Sequence, residues 1–122
     1  MNPNMTNKRM AQQTRDLATI KQAVAFAYEI FPSKLYAKTR KHEIVVPRQV
    51  AMYLCRVISG ASYPDIAAAF AKKNHGTIMH ACDVVKTSIA TDKIFALRVN
   101  SIKGQIEGHL REEAAKQKIY AA

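Results

Sequence analysis

Apolar residues recur at steps of three and four along most of this chain, which is the spacing that places them on one side of an α-helix. The longest runs start close to Asp16, Pro47, Asn74 and Asp92, and a shorter run follows Ser62. No stretch alternates between apolar and polar residues as a half-buried β-strand does. The pattern therefore predicts an all-α protein, folded as a helical bundle.

Prolines and glycines predict the ends of the first two helices. The first helix starts at Asp16 and ends before Pro32, because a proline in a helix interior removes a hydrogen bond and clashes with the preceding turn. Pro47 suits the first turn of the second helix, where its missing N–H has no intrahelical partner. Gly60 ends that helix, since glycine tolerates positive φ.

Capping residues predict where the later helices begin. Ser62 and Asp65 form a capping-box pattern that opens a short helix reaching Ala71. Asn74 caps the fourth helix, and Asp92 marks the start of the last. The expected apolar stripe of the last helix consists of Ile94, Leu97, Ile102, Ile106 and Leu110. Other side chains expected in the core or close to it are Phe31, Leu35, Tyr36, Met52, Val57 and Met79.

The length of 122 residues predicts one domain. Residues 1–13 are polar without an apolar period and predict a flexible tail, residues 14–110 form the domain, and residues 111–122 are a charged helix end or tail. The initiating Met1 and the polar tail favour a full-length small protein over a fragment.

Positive charge is the strongest functional signal in the composition. Lys and Arg number 19 against 9 Asp and Glu, a formal net charge of +10. Nine of the basic and three of the acidic residues lie between Lys34 and Lys86, and Lys38–His42 forms a basic loop without an apolar residue. Such an excess indicates an anionic partner, either a nucleic acid or a membrane surface.

Several other function classes are excluded by the sequence. No apolar run approaches the ~20 residues of a membrane span and no signal peptide is present, so we expect a soluble cytoplasmic protein with no membrane partner. The glycines fit neither phosphate-binding loop, and no catalytic constellation is present, so we expect no enzyme and no cofactor. Cys55, Cys82, His75 and His80 lack metal-ligand spacing, so we expect no metal, and both cysteines are expected to be buried thiols.

The central segment has the layout of a helix-turn-helix, whose second helix enters the DNA major groove by its N-terminus. Asn74, His75 and Thr77 can all contact base edges there, and Lys72 and Lys73 precede them. An alternative is a protein-interaction module that docks through the stripe Ile94 to Leu110, with the basic face serving solubility alone.

Three blocks of the sequence, residues 47–56, 62–70 and 73–81, agree in order and spacing with a known pattern. They closely resemble the C-terminal DNA-binding domain of the bacterial replication initiator DnaA, over roughly residues 17 to 106. The resemblance implies a helix-turn-helix fold of the Trp repressor type and binding to an asymmetric, A/T-rich site on double-stranded DNA. It also implies a monomer on DNA.

The resemblance also implies a role for particular residues. Arg40 matches the loop arginine that enters the minor groove, and Asn74, His75 and Gly76 match the base-reading triplet. Tyr63 and Pro64 match positions that contact thymine methyl groups. The expected contacts to the DNA backbone are Lys38, Lys41, Arg48, Gln49, Arg56, Lys72, Lys73, Thr77 and His80.

Two departures from the family pattern fall in the base-reading triplet. Asn74 replaces an aspartate, and its amide can donate as well as accept, so a cytosine amino group is no longer required. Gly76 replaces a threonine or serine, and Ala67 and Ala71 replace glycines. We therefore expect an altered or relaxed box relative to the TTATNCACA type.

The initiator's ATPase domain has no counterpart in these 122 residues. If the chain is complete, it binds duplex sites without hydrolysing ATP. We expect a nucleoid-associated regulator of transcription or of replication initiation, which occupies initiator-like boxes and competes with or binds a full-length initiator.

Overall fold

The computed structural model describes the backbone of residues 3–121 and the side chains of residues 7–120. Its elements are α1 (Pro3–Ala27), a 3₁₀ turn (Pro32–Tyr36), α2 (His42–Ser59), α3 (Tyr63–Ala69), α4 (Gly76–Thr91) and α5 (Lys93–Ala121). All of the secondary structure in this range is helical, so the all-α prediction is confirmed. None of the described helices is long and apolar enough to cross a membrane.

Helix α2 forms the centre of the bundle and contacts every other helical element. Its side chains Val50, Leu54 and Cys55 are fully buried, together with Ile20 of α1 and Ile78 of α4. Each large aliphatic side chain removed from water in this way contributes roughly 1.5–3 kcal/mol to folding. The core therefore fixes α3 and α4 against α2.

The predicted caps of α3 and α5 are present. The Ser62 hydroxyl accepts a hydrogen bond from the Asp65 N–H at 3.1 Å, and Asp92 Oδ1 accepts from the N–H groups of Ile94 and Phe95 at 3.1 Å each. The carboxylate of Asp65 accepts from Gln13 Nε2 at 3.1 Å, which links α3 to α1.

The N-terminal boundary was predicted wrongly. Residues 3–13, expected to be a tail, are helical and belong to α1, while residues 1–2 lie outside the described range. Good helix formers such as Met10 and Ala11 favour this helix. Hydrogen bonds between polar side chains also stabilise it. Gln12 Nε2 donates to Asp16 Oδ1 at 2.8 Å, one turn along the helix.

Other helix ends differ by smaller amounts. Helix α2 starts at His42, five residues before Pro47, so the proline lies inside the helix and its missing N–H removes one intrahelical bond. Helix α3 ends at Ala69 instead of Ala71, and α5 extends through the charged segment to Ala121.

The buried side of α5 also differs from the predicted stripe. Ile94 and Leu97 are 81% and 71% exposed, and the first core position is Val99. The Arg98 guanidinium lies 4.0 Å from the centre of the Tyr28 ring and donates to the Ala27 carbonyl at 3.1 Å, so it occupies the contact with the end of α1. Other side chains expected in or near the core but exposed in the structure are Phe31, Tyr36, Val57 and Met79.

Candidate nucleic-acid interface

Helices α3 and α4 form the helix-turn-helix, and the turn between them is fixed by packing and by a left-handed residue. Phe70 is fully buried at the end of α3. Ala71 has φ 54°, and the Lys72 N–H donates to the Ala67 carbonyl at 2.8 Å, as at many helix C-termini. This turn leaves Lys72 half-buried and Lys73 exposed just before α4.

The N-terminus of α4 is open to solvent. Asn74, His75, Gly76 and Thr77 are all exposed. Asn74 Oδ1 accepts from the Gly76 N–H at 2.8 Å, and the Asn74 carbonyl accepts from the Thr77 N–H at 3.2 Å. Asn74 therefore supports the helix start as predicted, although α4 itself begins two residues later, at Gly76. The partial positive charge of a helix N-terminus favours anionic or hydrogen-bond-accepting groups at this place.

The basic loop, residues 37–41, connects the 3₁₀ turn to α2, and its backbone is held by Arg48 of α2. The two guanidinium nitrogens of Arg48 donate to the carbonyls of Ala37 and Thr39, at 2.7 and 3.0 Å. These bonds lie on either side of Lys38, and the side chains of Lys38 and Arg40 remain exposed. Arg48 is thus bonded to the protein in this structure, and its phosphate contact stays a prediction.

The basic loop and the start of α4 share one concave surface of about 470 Å³. We call this surface the basic cleft, and its lining consists of Ala37, Lys38, Thr39, Arg40, Arg48, Lys72 and Thr77. Four of these seven residues carry a positive charge and none carries a negative one. The fold therefore brings together two elements that are far apart in the sequence and gives them one positive surface.

Among the described side chains, no carboxylate forms an ion pair with the cations of the basic cleft. Among the side chains of residues 7–120, ion pairs are formed by Lys103 with Glu107 at 3.9 Å and by Lys116 with Glu113 at 3.8 Å, both within α5. An unneutralised cluster of this kind attracts phosphates, and DNA binding releases the counterions that screen it.

Arg56 holds the junction between α2 and α3. Its guanidinium donates to the Ala61 carbonyl at 2.8 Å and lies 4.3 Å from the centre of the Tyr63 ring. Tyr63 is half-buried and Pro64 exposed in the first turn of α3. Like Arg48, Arg56 is bonded to a loop carbonyl here, so it orders the surface that carries Tyr63.

The remaining predicted contacts lie outside the lining of the basic cleft. Lys41 and Lys73 are exposed in the loops before α2 and α4, and His80 is exposed one turn after Thr77. Gln49 is half-buried next to Arg48 on α2.

Lys21 of α1 was not predicted, although it supports the helix-turn-helix. Its ammonium donates to the Ala69 carbonyl at the end of α3 at 2.9 Å and to the Tyr36 hydroxyl at 2.7 Å. It also lies 5.5 Å from the centre of the Phe70 ring. The partners of Lys21 are remote in sequence, so no local pattern indicates this role.

The two cysteines are buried free thiols, as predicted. Burial raises the pKa of the Cys55 thiol to about 12 and also raises the pKa of Cys82. Both are therefore protonated near neutral pH. Within the described residues, no group of three His, Cys, Asp or Glu side chains is placed to hold a metal ion.

Comparison with known proteins agrees with this geometry. Residues 17–85 match the family described as bacterial DnaA protein helix-turn-helix. The chromosomal replication initiator protein DnaA of Lactobacillus johnsonii is 35% identical over 105 residues, which cover 84% of this chain and 23% of that protein. The DnaA protein of Citrifermentans bemidjiense is 36% identical over 99 residues, covering 80% and 22%.

Two solved structures share the fold. A crystal structure of a DNA replication initiation factor superposes with a TM-score of 0.78 at 27% identity, covering 85% of this chain and 32% of that one. Replication initiator DnaA bound to AMPPCP and single-stranded DNA gives 0.72 at 27% identity, covering 86% and 32%. The chain spans about a quarter of the length of the curated relatives it matches. It therefore belongs to the bacterial DnaA helix-turn-helix family, a family of DNA-binding domains.

Proposed function

We propose that this chain reads one asymmetric, A/T-rich DnaA-box-like site, with the N-terminus of α4 in the major groove and the basic loop in the adjacent minor groove. The basic cleft is the observation that carries the proposal, because it joins the loop to the start of α4 across one positive surface. In this docking the sugar-phosphate backbone between the two grooves lies over the cleft, with Lys38 and Arg40 on one side and Lys72 and Thr77 on the other. In this proposal a single copy of the chain binds the site.

The exposed residues then divide into two kinds of contact. Arg40 is long enough to enter a narrow A/T-rich minor groove, where the negative potential is strongest. Asn74 and His75 meet base edges, and Tyr63 and Pro64 face thymine methyl groups. The DNA backbone is contacted by Lys38, Lys41, Arg48, Gln49, Arg56, Lys72, Lys73, Thr77 and His80.

The biological role we propose is regulation by occupancy. A domain that binds initiator boxes without ATP hydrolysis competes with a full-length initiator for the same DNA, or binds beside it. Such competition changes replication initiation, or transcription from a promoter that holds a box. The place of action is the nucleoid.

Selection from randomised duplexes, followed by binding titrations at several salt concentrations, tests the proposal. Replacing Arg40 by alanine is expected to weaken binding most at A/T-rich flanks, and His75→Ala to blunt base preference. Lys72→Ala is expected to lower affinity for all sequences and to reduce the salt slope by about one. Lys118→Ala, which removes an exposed charge at the far end of α5, is the control and leaves all three properties unchanged.

Equal effects of Arg40→Ala, His75→Ala and Lys72→Ala on every duplex would contradict the proposed docking. So would an affinity that hardly depends on salt, since several phosphate contacts require a steep dependence.

A second candidate function is protein docking through the start of α5. The 81% and 71% exposure of Ile94 and Leu97 favours it, because large apolar side chains next to each other on a surface are common at interfaces. In that case Leu97→Glu abolishes a salt-insensitive association and leaves DNA affinity unchanged. If Leu97→Glu has no effect on any association, this second candidate is wrong.

A further inference from the structure

Asn74 and Gly76 depend on each other at the start of α4. The side-chain oxygen Oδ1 of Asn74 accepts a hydrogen bond from the Gly76 N–H at 2.8 Å. A Cβ atom added to Gly76 would come within 3.0 Å of the same Oδ1. A side chain at position 76 would therefore require the Asn74 amide to shift by a few tenths of an ångström.

The orientation of the Asn74 amide is fixed by chemistry. The Gly76 backbone nitrogen is a donor, so the atom of Asn74 that faces it must be the oxygen. The amide nitrogen Nδ2 can then donate hydrogen bonds to a bound partner, because Asn74 is exposed. Nδ2 carries two hydrogens, whereas one lone pair of Oδ1 is already taken by the Gly76 N–H, so Asn74 presents chiefly a donor in this conformation.

We infer that Asn74 reads one base as a hydrogen-bond donor, because its carbonyl oxygen is engaged by the Gly76 N–H. This inference rests on the proposed major-groove position of α4. In the major groove, guanine offers N7 and O6 and thymine offers O4 as acceptors, whereas cytosine offers its N4 amino group alone. The pair of residues therefore selects guanine or thymine over cytosine at the base that residue 74 faces. Adenine, with one acceptor and one donor, is intermediate.

An aspartate at position 74 has the opposite preference. Its carboxylate can only accept, and an acceptor in the major groove matches the cytosine amino group. Asn74→Asp should thus invert the preference at one base pair and leave the other positions of the site unchanged. The same change at the exposed Asn100 of α5 is a control with matched chemistry and charge.

The experiment is a selection from duplexes with a randomised core, run in parallel on the wild-type chain, Asn74→Asp, Gly76→Ala and Asn100→Asp. The position at which wild type and Asn74→Asp differ identifies the base pair that residue 74 faces. Dissociation constants are then measured on four duplexes that differ at this pair alone. For wild type we expect guanine or thymine to bind about tenfold or more tightly than cytosine, and for Asn74→Asp the reverse.

Gly76→Ala tests the role of the glycine. The added Cβ requires a shift of the Asn74 oxygen, which weakens the bond that orients the amide, so the discrimination against cytosine should fall. Alanine is a better helix former than glycine, which offsets a weakened cap, so the thermal midpoint should stay close to that of wild type. A lost preference in a stable variant separates base reading from folding. Asn100→Asp should select the wild-type site.

The inference is overturned if wild type and Asn74→Asp select the same base at every position, or if Gly76→Ala keeps the full discrimination. Both results are possible for a chain that still binds a specific site, so they leave the proposed function intact. Wild-type binding without any sequence preference would overturn the proposed function, and this inference with it.

Discussion

Ala71 has an unfavourable backbone conformation in the turn of the helix-turn-helix. Its φ of 54° is left-handed, which costs an L-residue other than glycine roughly 1–2 kcal/mol. Part of this cost returns as lower entropy of the unfolded chain. The family pattern has a glycine at this position. This chain forms the same turn with an alanine and therefore has a strained backbone there.

Replacing Ala71 by glycine should therefore stabilise the protein. We expect a free energy of unfolding higher by about 0.5–1 kcal/mol, measured by urea denaturation. Ala68→Gly, three residues earlier at an exposed position within α3, is the matched control. It should destabilise by about 0.5–1 kcal/mol, since glycine disfavours a helix. Equal signs for the two substitutions would show that the strain at Ala71 is not real.

Cys55 makes stability depend on alkaline pH. The unfolded thiol ionises near pH 8.5, whereas burial raises the pKa of the folded thiol to about 12. Between these values the unfolded state binds fewer protons, so stability falls as pH rises, by up to about 1.4 kcal/mol per pH unit. Unfolding of Cys55→Ala between pH 8 and pH 10 should show a shallower decline than wild type. Identical slopes would contradict a raised pKa.

At the scale of elements, the basic loop depends on α2. The fork of Arg48 bonds the carbonyls of Ala37 and Thr39, which holds the loop backbone up to the residue before Arg40. A lysine keeps the charge but lacks the planar fork. We therefore propose that Arg48 positions Arg40, in addition to its predicted phosphate contact.

A double-mutant cycle separates positioning from phosphate binding. Arg48→Lys should weaken DNA binding in the wild-type background and have little effect when Arg40 is already alanine, with a coupling of about 1 kcal/mol. Arg56→Lys also removes a guanidinium bond to a loop carbonyl, but at the junction with α3, so its effect and that of Arg40→Ala should add. Additive behaviour of Arg48 and Arg40 would rule out the positioning role.

The elements themselves were largely predictable from local signals. The cap at Ser62, the glycine at Gly60 and the start of the last helix at Asp92 each depend on residues that are adjacent in sequence. The buried side of α5 was not predictable, because Ile94 and Leu97 fit the helical period as well as Val99 does. Packing of Val99, Ile102 and Ile106 into the core, with Arg98 against Tyr28 some 70 positions earlier, distinguishes the buried side in the structure.

The candidate site was predictable to a similar extent. Charge and the resemblance predicted which residues contact DNA, and the structure shows that Arg40, Asn74 and His75 are exposed. The bonds from Arg48 and Arg56 to loop carbonyls carry no sequence signal, since an arginine that binds phosphate and one that holds a loop look the same in a sequence.

The net charge of +10 is unevenly distributed over the molecule. The ion pairs found among residues 7–120 lie within α5, away from the four cations of the basic cleft. The C-terminal part of α5 is exposed on all sides and carries charges of both signs, which suits solubility. The basic cleft is thus a concave surface on which positive charge is concentrated.

The most direct test of the account is a methylation-protection footprint on the duplex recovered by selection. Dimethyl sulfate modifies guanine N7 in the major groove and adenine N3 in the minor groove, so one experiment reports both grooves. We expect N7 protection over a few adjacent base pairs and N3 protection in the flanking A/T-rich segment, with only the N3 protection lost in Arg40→Ala. Protection confined to one groove, or unchanged N3 protection in Arg40→Ala, would contradict the account.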